Sequence, residues 1–184
     1  LMPRVRFFNV YGPTECTCIC SSYEVDLDDL VSDELLPLGR IAENFKYLII
    51  DENKNPISER KVGELYLGGA NVGFGYFDNP EKSKEVFVQN PVHQNFRDIF
   101  YRTGDLVTYD STLDLLFFSG RKDNQVKRMG YRIELEEIEY AIGALPDVLE
   151  NAVVFVKHDD ELGKIIAHIN SSQRDEILLL EKLR

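Results

Sequence analysis

Five consecutive residues near the start of the chain combine an aromatic ring, a turn, a hydroxyl and a carboxylate: Tyr11-Gly12-Pro13-Thr14-Glu15. A flat ring can stack on a nucleobase, and a hydroxyl can donate a hydrogen bond to a phosphate. Magnesium usually binds through one carboxylate together with substrate phosphates, so Glu15 is a candidate metal ligand. The same residues suit a turn that Thr14 and Glu15 merely cap, and spacing alone does not separate the two interpretations.

A second candidate carboxylate is Asp105, which follows Gly104 at an expected strand entry. A carboxylate there can accept both hydroxyls of a ribose, as acidic residues do in other nucleotide sites. The alternative is a turn aspartate that bonds its own backbone.

The most cationic stretch of this acidic chain lies at residues 120–132 and contains Arg121, Lys122, Lys127, Arg128 and Arg132. Arginine and lysine at this density can bind a polyanion such as a triphosphate, although a solvated hairpin has the same composition. Asp123 lies where strand-like sequence gives way to helix-like sequence, which suits a hinge. The glycines of residues 68–75 precede no Gly-Lys-Ser/Thr ending, so they indicate tight turns rather than a Walker motif.

Three zones of sequence must position these residues. Residues 1–23 predict strand, turn and strand, and the alternating Cys16, Cys18 and Cys20 predict one face of a half-buried strand in a reducing compartment. Their number and spacing favour neither a disulfide framework nor a zinc site.

The next two zones differ in period. Strand patterns occur at 46–51, 63–68, 100–110 and 113–119, with a short helix entered at Asn79-Pro80-Glu81, which predicts a small distorted barrel or sheet. Beyond residue 120, a helical stripe at 134–145, strands at 151–156 and 163–169 and a helix at 175–183 predict helices on an antiparallel sheet. The expected class is α+β, with domains at 1–120 and 121–184.

Composition excludes several classes of protein. The 184 residues carry a net charge of −11, a poor match for a nucleic-acid backbone or an anionic membrane surface. The sequence has no apolar run of membrane-spanning length and no signal-peptide core at its start. We therefore expect a cytoplasmic protein without nucleic-acid or membrane partners.

Four blocks in this order resemble the adenylate-forming superfamily of acyl-CoA synthetases, luciferase-like ligases and peptide synthetase adenylation domains. The blocks are Asn9–Glu15, Gly63–Glu81 with its glycines, Tyr101–Leu106 and Gly120–Glu139. The first and last blocks look most like the amino-acid-activating branch, which includes non-ribosomal peptide synthetase modules and D-alanine–carrier-protein ligases. The resemblance implies ATP and magnesium as cofactors, an acyl-adenylate product, and transfer of the acyl group to the phosphopantetheine thiol of a carrier protein.

The resemblance also implies roles for individual residues. Catalysis would involve Thr14, Glu15, Arg121 and Lys127, with Glu15 as the magnesium ligand. Nucleotide binding would involve Asn9, Tyr11, Gly12, Thr14, Asp105, Phe118 and Arg121. The acyl pocket would include Val10, Cys18 and Ile19; Asp123 would be the hinge and Gly130 would border the pantetheine path.

Two family motifs, the phosphate loop and the lysine near the C-terminus, are not found in the sequence. We therefore expect a C-terminal fragment of a ligase, with a truncated small subdomain, that has little adenylating activity by itself and exposes apolar surface for self-association. Two alternatives remain: a fatty-acyl or aryl CoA ligase, and a non-catalytic docking module derived from the family.

Overall fold

The computed structural model describes residues 5–31, 35–128, 131–156 and 163–172. The chain divides into two compact units, Leu1–Lys122 and Asp123–Arg184. The first unit contains β1 (Phe7–Tyr11), β2 (Ser21–Val25), β3 (Arg40–Ile41), β4 (Phe45–Ile50), β5 (Gly63–Gly69), α1 (Pro80–Val86), β6 (Phe87–Gln89), β7 (Ile99–Asp110) and β8 (Leu115–Arg121). The second contains β9 (Val126–Arg128), β10 (Tyr131–Ile133), α2 (Leu135–Gly143), β11 (Val148–Val156) and β12 (Lys164–Ser171). Because β8 continues through Arg121, the division falls two residues beyond the predicted 120/121 boundary.

The larger sheet is built around β7, which pairs with β5 along one edge and with β6 and then β8 along the other. Apolar side chains pack on the sheet in two core clusters, so Leu65, Leu67 and Val107 are buried in one and Phe100 is buried in the other. The strands predicted at 46–51, 63–68, 100–110 and 113–119 are confirmed as β4, β5, β7 and β8, with ends shifted by one or two residues.

A bulge interrupts β7 in front of Asp105. Gly104 has φ of +73°, and the pairing registers shift between Glu64 and Tyr66 on β5. The Thr103 hydroxyl spans the irregularity, since it accepts a hydrogen bond from the Asp105 N–H (3.0 Å) and donates one to the Leu65 carbonyl (2.8 Å). The predicted strand entry at Asp105 is therefore wrong: the residue lies in the middle of a strand, where a bulge re-aims its side chain.

The smaller sheet joins β1, β2 and β3, and a 3₁₀ turn at Thr14–Cys16 lies between β1 and β2. Thr17 and Cys18 have φ of +59° and +78°, so the segment reverses direction instead of extending. The predicted cysteine strand is wrong for this reason. Cys16 and Cys20 are buried, Cys18 is exposed, and the three thiols form no disulfide.

A glycine is required where this turn meets β1. A Cβ atom at Gly12 would lie 1.4 Å from the Cys18 carbonyl oxygen and 2.9 Å from the Cys20 nitrogen. Such distances cannot be relieved by rotating a side chain, because both neighbouring atoms belong to the backbone. The close approach brings the start of β2 back beside Tyr11, whose carbonyl accepts a hydrogen bond from the Cys20 N–H (2.7 Å).

The two sheets of the first unit are connected through the edge of β8. The Leu38 N–H donates to the Leu116 carbonyl (2.8 Å), and the Leu116 N–H donates to the Gly39 carbonyl (3.1 Å). The expected strand-rich, barrel-like part thus takes the form of two antiparallel sheets joined by this bridge. The α+β class is confirmed.

Both described helices begin where the sequence predicts. Pro80 opens α1, and the Asn79 side chain caps it by accepting from the Lys82 N–H at 3.1 Å. In the second unit α2 packs on β11 and β12, with Leu135, Ile142 and Val153 buried between them. The predicted helix at 175–183 lies outside the described residues. Within the described part of the chain, no helix has the length and apolar character needed to cross a membrane.

Candidate functional site

Three predicted site residues from distant parts of the sequence meet at one carboxylate. The Tyr11 hydroxyl donates to Asp105 Oδ2 (2.6 Å), and Arg121 Nη1 donates to Asp105 Oδ1 (2.5 Å). Arg121 Nη2 also donates to the Thr103 carbonyl (3.2 Å). The structure therefore brings Tyr11, Asp105 and Arg121 together.

The strand ends and the bulge explain this convergence. Tyr11 is the last residue of β1, and Arg121, the last residue of β8, lies directly opposite Asp105 in the pairing of β7 with β8. All three side chains are largely withdrawn from water: Tyr11 is 8% exposed, Asp105 is 6% exposed and the Arg121 side chain is 14% exposed. Because a buried carboxylate needs partners for its charge, the hydroxyl and the guanidinium stabilise Asp105 in place.

Burial of the ring, followed by the negative charge of Asp105, raises the pKa of the Tyr11 phenol well above its usual value. Because the pKa of the Tyr11 phenol is higher in the folded than in the unfolded protein, its protonated form contributes to the free energy of unfolding. This contribution is complete below the unfolded-state pKa of about 10 and is lost as the pH rises above that value.

We expect the stability advantage of the wild type over Tyr11→Phe to shrink above pH 10, by up to about 1.4 kcal/mol per pH unit. Urea unfolding from pH 8 to 11.5 measures this difference. Tyr131→Phe, at an exposed tyrosine of β10, is the control, and a difference that does not change with pH would contradict the prediction.

An open cavity of about 500 Å³ lies beside Tyr11, within the volume range of small-molecule sites. Its lining unites predicted nucleotide residues with predicted acyl-pocket residues: Val10, Tyr11, Gly12, Thr14, Cys18 and Ile19, together with Thr17. Cys18 forms part of the wall of this cavity, and its place in an acyl pocket stays a prediction. Thr17 was missed, since only its place inside the turn could have indicated it.

Glu15 follows Thr14 in the 3₁₀ turn, is half-buried and is not among the residues that line this cavity. Its Oε1 atom accepts a hydrogen bond from the Tyr76 hydroxyl (2.6 Å), and its backbone carbonyl accepts one from the Gly73 N–H (2.8 Å). Tyr76 lies within the Gly63–Glu81 block, and the sequence gives it no role because nothing in the local pattern indicates a partner 61 residues away.

Glu15 fits a magnesium ion that takes one ligand from the protein and its other ligands from water and substrate. Among the described residues no group of three or more histidine, cysteine or acidic side chains is placed to hold a metal ion. A single carboxylate such as that of Glu15 fits a magnesium ion whose remaining ligands are water and substrate phosphates.

The other predicted site residues that the structure describes lie outside the cavity lining. The Asn9 side chain donates to the Pro37 carbonyl (2.7 Å), and Phe118 lies on β8 opposite Val107, 38% exposed, outside the lining of the cavity. Asp123 is the first residue of the second unit, and its Oδ1 accepts from the Gln125 N–H (3.3 Å). The Lys127 side chain and Gly130 lie outside what the structure describes.

Comparison with known proteins adds independent information. The family described as AMP-binding enzyme matches residues 1–77. Malpibaldin synthetase of Mortierella alpina is 37% identical over 175 residues, which are 95% of this chain and 3% of that protein. The structure of holo-PA1221, an NRPS protein containing adenylation and PCP domains, matches with a TM-score of 0.80 at 29% identity. The match covers 100% of this chain and 31% of the PA1221 chain. The Vibrio cholerae adenylation domain AlmE, in complex with glycyl-adenosine-5'-phosphate, matches with a TM-score of 0.78 at 28% identity. This match covers 95% of this chain and 33% of the AlmE chain.

The order of the four motifs, the strand-rich α+β fold and these matches agree with one another: the chain is similar to members of the adenylate-forming superfamily. Within that superfamily it is similar to the adenylation domains of non-ribosomal peptide synthetases. It spans about 3% of the length of the curated relative and about a third of the length of the solved structures.

Proposed function

We propose that this chain acts as part of an ATP-dependent ligase that converts an amino acid to its aminoacyl-adenylate and passes the acyl group to the phosphopantetheine thiol of a carrier protein. The observation that carries this proposal is the convergence of Tyr11 and Arg121 on the buried carboxylate of Asp105, together with the cavity of ligand size that Tyr11 also lines. The kinship with peptide synthetases supports the amino acid as substrate, and the PCP domain named for PA1221 supports a carrier protein as acceptor.

The nucleotide would be positioned by the Asp105 cluster. A carboxylate has about four lone-pair sites, so Asp105 can accept ribose hydroxyls while it keeps its bonds to Tyr11 and Arg121. Those two bonds fix the orientation of the carboxylate before the nucleotide arrives, which lowers the cost of binding. Tyr11, which lines the cavity, would contact the base with its ring.

The chemical step requires positive charge and positioning rather than a base. The substrate carboxylate attacks the α-phosphorus and pyrophosphate leaves, so negative charge accumulates on the phosphate oxygens. The Thr14 hydroxyl would donate to a phosphate oxygen, and Arg121 would contribute positive charge on the ribose side. Glu15 would hold the magnesium ion, which when bound neutralises part of the phosphate charge.

Between the two half-reactions we propose a rotation about Asp123. The last residues of the first unit are tied down: the Lys122 N–H donates to the Gly104 carbonyl (2.8 Å), and its Nζ donates to Glu64 (3.0 Å). A rotation that starts at Asp123 therefore leaves Arg121 on Asp105.

The test is an ATP–pyrophosphate exchange assay with the ligase that carries this chain, run with a panel of amino acids, fatty acids and aryl acids. We expect one amino acid to stimulate exchange and a phosphopantetheinylated carrier protein to receive the acyl group. Stimulation by a fatty or aryl acid followed by a CoA thioester would replace the proposal with the CoA-ligase alternative. Absence of nucleotide binding would favour a docking module. The 184-residue chain alone is expected to give little or no exchange.

We also propose that the isolated chain self-associates. Phe74 and Phe77 are fully exposed, and Phe7 and Phe8 are about half exposed, so apolar surface is available for contact between copies. Light scattering over a range of protein concentrations should give a mass that rises with concentration. A constant monomer mass would refute the idea.

A further inference from the structure

We propose that Tyr76 is a positioning residue for Glu15 and so sets the affinity of the site for magnesium. This inference rests on the role that the proposed function gives to Glu15. It concerns the glycine-rich segment 69–76, here called the bracing loop, to which the sequence assigned only turns.

The first observation is the direct contact. The Tyr76 hydroxyl donates to Glu15 Oε1 at 2.6 Å, a length typical of a hydroxyl bonded to an ionised carboxylate. Bonds of this kind are about twice as strong as those between neutral groups. The contact therefore selects one orientation of the Glu15 side chain.

The second observation is that the bracing loop also holds the backbone around Glu15. The Gly73 N–H donates to the Glu15 carbonyl (2.8 Å), and the Thr17 hydroxyl donates to the Asn71 carbonyl (2.9 Å). A Cβ atom at Gly73 would lie 3.3 Å from that Glu15 carbonyl oxygen. A side chain at position 73 would thus press on the Glu15 backbone.

The third observation is that Tyr76 is itself well supported. Its backbone N–H donates to the Ser83 hydroxyl (2.8 Å), and its ring meets the Phe87 ring edge-on at 5.6 Å. Phe87 packs in turn on Tyr101, which is 2% exposed, at 5.3 Å between ring centres. A continuous line of contacts therefore connects the buried core to the Glu15 carboxylate.

These contacts act on metal binding through preorganisation. A carboxylate that is already oriented loses less side-chain freedom when it binds a cation, so the complex forms at a lower cation concentration. Residues that orient a metal ligand in this way change metal affinity by about 10- to 100-fold when they are replaced. The Tyr76 hydroxyl need not touch the metal or the nucleotide to have this effect.

The decisive variant is Tyr76→Phe, which removes one oxygen and keeps the ring on Phe87. Tyr23→Phe is the matched control, because the Tyr23 hydroxyl also donates to a carboxylate, that of Asp29 (2.9 Å), away from the cavity lining. Both are made in the ligase that carries this chain, and Mn²⁺ binding in the presence of ATP is followed by electron paramagnetic resonance. We expect Tyr76→Phe to raise the Mn²⁺ dissociation constant about tenfold and Tyr23→Phe to leave it unchanged.

A kinetic measurement separates positioning from general damage. In pyrophosphate exchange, Tyr76→Phe should raise the Mg²⁺ concentration for half-maximal rate by a similar factor, while the rate at saturating Mg²⁺ stays close to that of the wild type. A variant damaged throughout would lose rate at every Mg²⁺ concentration. Gly73→Ala, which keeps the hydroxyl and presses on the Glu15 backbone, should shift the Mn²⁺ constant in the same direction and decides the question if Tyr76→Phe does not fold.

Glu15→Gln distinguishes failure of this inference from failure of the proposed function. If Glu15→Gln weakens Mn²⁺ binding and Tyr76→Phe does not, Tyr76 is merely structural and the role of Glu15 stands. If Glu15→Gln leaves Mn²⁺ binding unchanged, the magnesium role of Glu15 is wrong and the inference about Tyr76 falls with it.

Discussion

Replacement of Asp105 by asparagine is expected to weaken ATP binding about a hundredfold. The carboxylate would accept two ribose hydroxyls, and hydrogen bonds to charged groups contribute about 1.5–3 kcal/mol each, so loss of the charge reaches the 2.7 kcal/mol that corresponds to a factor of about a hundred. Asparagine keeps the shape but turns an amide NH₂ toward either the Tyr11 hydroxyl or the Arg121 guanidinium, both of which donate to Asp105. Titration calorimetry at a temperature where circular dichroism shows the variant folded measures the effect.

The chain offers an unusually close control for this substitution. Asp114 also accepts from one tyrosine and one arginine, the Tyr109 hydroxyl (2.9 Å) and Arg40 Nε (3.1 Å), but its side chain is 62% exposed. Asp114→Asn therefore removes the same kind of charge from the same kind of cluster on the surface. We expect the ATP affinity of Asp114→Asn to remain within about twofold of the wild type, because Asp114 is exposed and does not line the cavity. Equal ATP affinity for Asp105→Asn and the wild type would remove Asp105 from the nucleotide site.

The elements that carry Asp105 could be predicted because their signals are local. Alternating strand patterns at 63–68 and 100–110 predict β5 and β7. In the second unit, an apolar stripe at steps of three and four likewise predicts α2. The bulge that aims Asp105 could not be predicted, because it depends on the Thr103 hydroxyl reaching the carbonyl of Leu65, 38 residues earlier. Gly104 signals an irregularity but does not say which neighbouring strand will accommodate it.

The cysteine segment shows a different limit. Alternation of Cys16, Cys18 and Cys20 has the period of a strand, yet the backbone turns at Thr17 and Cys18 with positive φ. Neither residue favours that conformation, so packing of Gly12 against the returning chain has overridden local preference. The same turn creates the cavity lining. The contact between Tyr76 and Glu15 was equally unpredictable, since a hydrogen bond across 61 residues leaves no mark in the spacing of either motif.

A second large effect is expected at Glu64, a buried carboxylate at the start of β5. Its side chain is 5% exposed, and it accepts from Arg102 Nε and Nη2 (both 3.3 Å) and from Lys122 Nζ (3.0 Å). Arg102→Met would leave this charge buried with only Lys122, whose side chain is 51% exposed. Removal of one partner from a buried ion pair costs about 3–5 kcal/mol, and we expect Arg102→Met to lower the free energy of unfolding by about 3 kcal/mol.

The effect should not be symmetric between the two partners. Glu64→Gln leaves two cations, and the side chains of Arg102 and Lys122 are 29% and 51% exposed, so both retain water as a partner. Its expected cost is about 1 kcal/mol, the net value of an ordinary hydrogen bond.

The double variant then tests the cause of the asymmetry. If the cost of Arg102→Met comes from an uncompensated buried anion, adding Glu64→Gln removes that anion and should make the protein more stable than Arg102→Met alone. Urea unfolding of the two single variants and the double variant completes the cycle. If the two costs simply add, the Arg102 side chain stabilises the sheet through its contact with Tyr66 rather than through its ion pair with Glu64. The guanidinium carbon lies 5.7 Å from the centre of the Tyr66 ring.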